Sequence, residues 1–169
     1  NNIGDVDVLT LAAGNTVIGK VRPAGTHVSV TVTTAAAGDY AANDIISNSA
    51  TGDAGVAGQI AAAVPANGEV AWLERVLAVC SEDSVLFRLR IHFYNYNPAA
   101  ADVEMDDNIA FDFAKNATGA AGYLGYVDLP AFADGGTSMS FAQATALRQL
   151  LKAGSATAIT LTTAATTTA

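Results

Sequence analysis

Along residues 84–97 (SVLFRLRIHFYNYN) apolar side chains fall on every second position. Val85, Phe87, Leu89, Ile91 and Phe93 alternate with Arg88, Arg90, His92 and Tyr94. Strand side chains point to opposite faces with period two, so the spacing predicts a long β-strand with one dry and one polar face. A helix would scatter the five apolar residues around its circumference. Such a strand needs a second layer on which to lay its dry face.

The same period recurs elsewhere. Residues 26–34 (THVSVTVTT) alternate Val28, Val30 and Val32 against Ser and Thr, a half-buried strand pattern. Residues 40–47 (YAANDIIS) suggest another strand, and 48–58 (NSATGDAGVAG) has the composition of a loop. Residues 70–80 (VAWLERVLAVC) are apolar on both alternations from Val76 onward. That predicts a central strand, although the Leu, Glu and Arg content also admits a helix. Ser81, Glu82 and Asp83 form a link short enough for an antiparallel hairpin with the strand at 84–97. Ile109, Phe111 and Phe113 alternate again, 122–129 reads as a strand closed by Pro130, and 138–141 as another. Residues 144–153 suit a helix or, with a Thr-rich strand at 158–163, a final hairpin. The Thr and Ala residues beyond read as a frayed tail.

Eight or so short strands separated by turn signals predict an all-β fold, an antiparallel β-sandwich of jelly-roll type spanning 26–169. Residues 1–25 stand apart as a short N-terminal β-repeat arm. Asn2-Ile3-Gly4-Asp5-Val6 recurs as Val17-Ile18-Gly19-Lys20-Val21. Two such copies build almost no core of their own. Ile3, Val6, Val8, Ile18 and Val21 are therefore the expected oligomer interface, packing on the same segment of sister subunits around a symmetry axis. A frayed arm with accidental similarity is the plainer alternative.

Composition narrows the possible roles. The 169 residues carry 8 Lys and Arg against 16 Asp and Glu, a net charge of −8. That disfavours nucleic acid and anionic membranes as partners. No apolar run approaches the ~18 residues that span a bilayer. Charged residues are only 14% of the chain, which fits a surface partly covered by partners.

Candidate chemistry is sparse. His27 and His92 are the two histidines, and the single Cys80 lies in a predicted strand. No G-x-S-x-G elbow is present, so an enzyme is not expected and no cofactor is implied. Asp102, Glu104, Asp106 and Asp107, followed by Asn108, place oxygen ligands at alternate loop positions, a loose Ca²⁺ pattern; an acidic solvated loop explains them as well. His92, Tyr94 and Tyr96, with Tyr123 and Tyr126, suggest a sugar-stacking platform or a face packed under a loop or a neighbouring subunit. Asn116-Ala117-Thr118 fits the glycosylation pattern by chance.

Several of these segments, taken together, resemble tailed-bacteriophage virion proteins. They are Tyr40-Ala-Ala-Asn-Asp-Ile-Ile, the Gly-rich loop, the strand pair around 73–95, Asn97-Pro98, Asp107-Asn108-Ile109-Ala110-Phe111, and Gly125-Tyr126-Val127. The N-terminal echo is similar to the β-repeat arms of the same proteins. The resemblance implies a capsid decoration (cement) or head-fibre protein, a homotrimer with a β-sandwich body. It would bind the major capsid protein on the capsid surface of the virion and stabilise the shell. The alternative is a receptor- or carbohydrate-binding module of a tail or fibre.

Overall fold

The computed structural model describes residues 29–35, 40–48, 58–60, 68–82, 85, 87–99, 101–112, 114–154 and 159–167, the second and last strands by their backbone alone. The expected interface residues Ile3, Val6, Val8, Ile18 and Val21 lie outside these residues, as do His27 and Val28. Residues 29–34, expected as the rest of a strand, are exposed and carry no strand pairing.

The chain is built mostly from antiparallel strands, as the alternating pattern predicts. In order they are β1 (Ile45–Ile46), β2 (Gly58–Ile60), β3 (Val70–Cys80), β4 (Phe87–Tyr94), the short helix α1 (Ala117–Gly122), β5 (Tyr123–Asp128), β6 (Ala133–Asp134), β7 (Ser140–Lys152) and β8 (Ile159–Thr167). One sheet runs β1-β8-β4-β5, with β2 also on β8; the other runs β3-β7-β6.

Three expectations are corrected. β3 and β4 do not form a hairpin: β3 pairs only with β7 among the described strands, while β4 lies between β5 and β8. Each strand has an apolar face, and residues of both faces meet in one apolar cluster. The segment 144–153 is strand, not helix, but its partner is β3 rather than the C-terminal strand. The Thr-rich C terminus is not frayed along 159–167. Its backbone pairs with β4 from Tyr94↔Thr160 to Phe87↔Thr167 on one edge and with β1 and β2 on the other. Thr is β-branched and favours a pleated backbone.

The two sheets share one apolar cluster. Ile91, Phe93, Val127 and Leu129 come from or follow β4 and β5; Ala142, Leu151 and Ala153 come from or follow β7. Leu73, Val76 and Ala78 of β3 pack against it. A second cluster covers the other side of β4, where Ile45, Tyr94, Val103, Met105 and Phe111 meet. The second half of β4 therefore has no solvated face: Ile91, His92, Phe93 and Tyr94 are all buried, whereas Arg88 nearer its start is exposed. Val103 and Met105, alternating with Asp102, Glu104 and Asp106, lay their apolar side over the face that the sequence marks as polar.

Candidate functional site

β3 explains why a strand can be apolar on both alternations. Ala71, Leu73, Val76 and Ala78 turn toward the core, while Val70, Trp72, Leu77 and Val79 are exposed on the opposite face. The expected central strand is thus an edge strand among the described residues, dry on one side and uncovered on the other. The register with β7 places Trp72 beside Leu150 and Val79 beside Phe141. Both β7 residues are also exposed. Trp72 and Val79 each leave 59% of their surface in solvent. Isolated exposed hydrophobes are ordinary, but six large ones on one pleated surface form a patch of the kind that marks interaction sites.

A bulge divides this patch. The register passes from Leu73↔Gln149 to Arg75↔Thr145, so Glu74 alone faces the three residues Ala146, Leu147 and Arg148. Ala146 (φ 55°) and Arg148 (φ 49°) sit in the left-handed region, at a cost of about 1–2 kcal/mol each for residues with a Cβ. Leu147 between them packs against the core. Opposite it, Glu74 and Arg75 are both exposed, so a polar belt separates two apolar ends. Neither Glu74 nor Arg75 makes an ion pair with another described residue.

The other candidates resolve into structural roles. Asp107 is 3% exposed. Its carboxylate accepts from Ser47 N (2.8 Å), Ala35 N (3.1 Å) and the Tyr40 hydroxyl (3.0 Å). Burial, with Asp107 adding to it, pushes the Tyr40 hydroxyl up to about 12. Glu104 pairs with Lys115 at 2.9 Å and accepts from the amides of Met105 and Asp106. Asp102 accepts from the Asn116 side-chain amide at 2.8 Å and from Ala99 N. These bonds, Asn116's first, hold its carboxyl below the usual range. Three of the four acidic side chains thus serve different partners, while Asp106 Oδ1 is buried without a hydrogen-bond partner among the described residues. No group of three or more His, Cys, Asp and Glu able to hold a metal occurs among the described residues. Asn116, the chance glycosylation match, caps α1 by accepting from Gly119 N at 2.9 Å.

The aromatic residues do not form an open stacking platform. Tyr94 is fully buried and His92 is 4% exposed. The His92 ring stacks on Phe111, with centroids 4.1 Å apart, and its Nδ1 lies 2.9 Å from the Tyr123 hydroxyl. Burial, aided by the nearby Arg90 charge, pushes His92 down to about 3, so the ring is neutral at ordinary pH. Exposed Tyr126 carries the Arg90 guanidinium 4.0 Å above its ring. Arg90 is in turn held by Asp128 at 2.6 Å, and that bond raises its pKa. A shallow cavity of 460 Å³ opens between Asn95, Tyr96 and the α1 residues Ala117, Thr118 and Ala121, offering mostly small apolar groups. Cys80 is a half-buried free thiol.

Sequence reasoning placed the interface in the N-terminal arm and passed over the β3–β7 face. Its signal was the double apolar alternation of 70–80. No protein-family model, curated protein or solved structure matches the chain.

Proposed function

We propose that the chain is a non-enzymatic structural protein of a tailed-bacteriophage virion. In this reading it is a β-sandwich of jelly-roll type that decorates the outer surface of the head as a homotrimer and reinforces the shell. One observation carries the proposal: the uncovered face of β3 and β7, with Val70, Trp72, Leu77, Val79, Phe141 and Leu150. At about half exposure these side chains present roughly 600 Å² of apolar surface, the upper end of what a lone soluble domain shows. Covering it is worth ~15 kcal/mol at ~25 cal/mol per Å², before association costs of comparable size. A protein that works as part of an assembly gains from such a face, and repetition over many sites on a shell adds avidity. The sequence resemblance and the paired repeats of the arm support the same reading.

The test is mass spectrometry of purified particles produced from the genome that encodes the chain, with immunogold labelling of intact heads. The proposal expects the chain in many copies per particle, with label on the head surface. Its absence from particles, or label confined to the tail tip, overturns the proposal.

A further inference from the structure

The exposed residues of β3 read the same from both ends. Val70, Trp72 and Glu74 lead to the bulge, and Arg75, Leu77 and Val79 lead away from it; the buried positions 71, 73, 76 and 78 are arranged symmetrically between them. A regular strand, with its unbroken period of two, has no such centre between adjacent residues. It exists because the bulge turns Glu74 and Arg75 outward together. We infer that this face packs on the same face of a second copy, about a twofold axis that passes between Glu74 and Arg75. The inference deepens the structural role proposed above and rests on it.

Three observations fit a second copy. A twofold contact is isologous, so each residue must suit its symmetry mate. Here Val70 lies over Val79 of the partner, Trp72 over Leu77, and Glu74 over Arg75, with every pairing repeated in the opposite direction. The belt residues have opposite charges and no ion-pair partner among the described residues, so each copy supplies the counter-charge the other needs. The area also suffices: roughly 600 Å² of apolar surface per copy gives about 1,200 Å² for the pair, where specific stable interfaces begin. The contact is compatible with the homotrimer proposed above, since a twofold face can link one trimer to another.

The test uses the full chain. Copies carrying Val70→Cys are mixed with copies carrying Val79→Cys, both with Cys80→Ser, and oxidised mildly. The inference expects disulfide-linked pairs containing one of each at ~10-fold or more the yield of either variant alone. Dominant 70–70 linkage overturns the axis, and no linkage in any mixture overturns the contact. In sedimentation velocity, Glu74→Arg and Arg75→Glu should each weaken self-association about tenfold by setting like charges across the axis, and the double reversal should restore it. A double variant as weak as the singles overturns the pairing.

Trp72→Glu separates this inference from the broader proposal. The inference expects the particle mass of the free protein to halve. An unchanged mass with lost binding to phage heads means that the face docks on another molecule, and only the twofold contact falls. A halved mass for a chain absent from particles leaves the contact standing and removes the virion role. If neither mass nor binding changes, the twofold contact falls and the virion role stands without this face.

Discussion

His92 makes a prediction that the structure fixes in both sign and size. Its ring is enclosed by Phe111, Tyr123 and Tyr126, and burial lowers its pKa from 6.5 to about 3. In the unfolded chain the imidazole takes up a proton below pH ~6.5, and in the folded chain it does not until pH ~3. The unfolded state thus binds more protons throughout that window, so stability is full above it and falls as the pH drops. The slope is about 1.4 kcal/mol per pH unit. By pH 4.5 the loss reaches ~2–3 kcal/mol, a large share of the 5–15 kcal/mol that ordinary domains possess. Carboxylate protonation adds its own loss mainly below that point, so pH 6.5–4.5 isolates the histidine. The assay is urea unfolding at pH 7.0, 5.5 and 4.5 for the natural chain and for His92→Phe. Phenylalanine keeps the stack on Phe111 and gives up the Tyr123 bond at every pH, a constant offset. His27 is common to both chains and cancels. The natural chain should lose ~2–3 kcal/mol more than His92→Phe between pH 7.0 and 4.5. Parallel pH dependences for the two proteins would refute the reasoning, because the ring would then be protonating freely in the folded state.

Two further predictions test the layer that covers β4. Asp107→Ala removes one carboxylate serving two backbone amides and the Tyr40 hydroxyl; it should cost about 3 kcal/mol or more and speed hydrogen exchange at the Ser47 amide by at least tenfold. Unchanged exchange at Ser47 would contradict it. At Gly119 a Cβ would lie 2.4 Å from the Asp102 carbonyl oxygen, whereas at Gly136 it would meet nothing within 4 Å. Gly119→Ala should therefore lower the melting temperature by about 5 °C or more. Gly136→Ala, which bears only the strain of φ +105°, should lower it less; the reverse order would show that α1 does not pack on the 101–102 turn.

The parts of the fold that were legible in the sequence are those where burial and polarity follow one period. Residues 84–97 alternate cleanly and become β4, and 122–129 contains β5 as its turn signals require. The hairpin partners were not legible, because a short link permits adjacent pairing but does not exclude a change of sheet. The cover over His92 and Tyr94 was hidden for a different reason: Val103 and Met105 lie in a stretch whose acidic residues dominate its appearance. Asp107 could be counted as a charge, but its buried role depends on Ala35 and Ser47, some 60–70 positions away. The β3–β7 face was half legible. Apolar residues on both alternations of 70–80 imply two covered faces; the chain's own core supplies one, and the other stands exposed.

Trp72 is the single tryptophan of the chain and stands on the uncovered face, so it reports on that face without labelling. The most direct measurement is its emission and acrylamide quenching as the natural protein is diluted from high micromolar to nanomolar concentration. Coverage by another copy predicts blue-shifted, poorly quenched emission at high concentration, changing on dilution to the red-shifted, readily quenched emission of a residue 59% in solvent. Red-shifted, readily quenched emission at every concentration, with a monomeric mass throughout, would contradict the account.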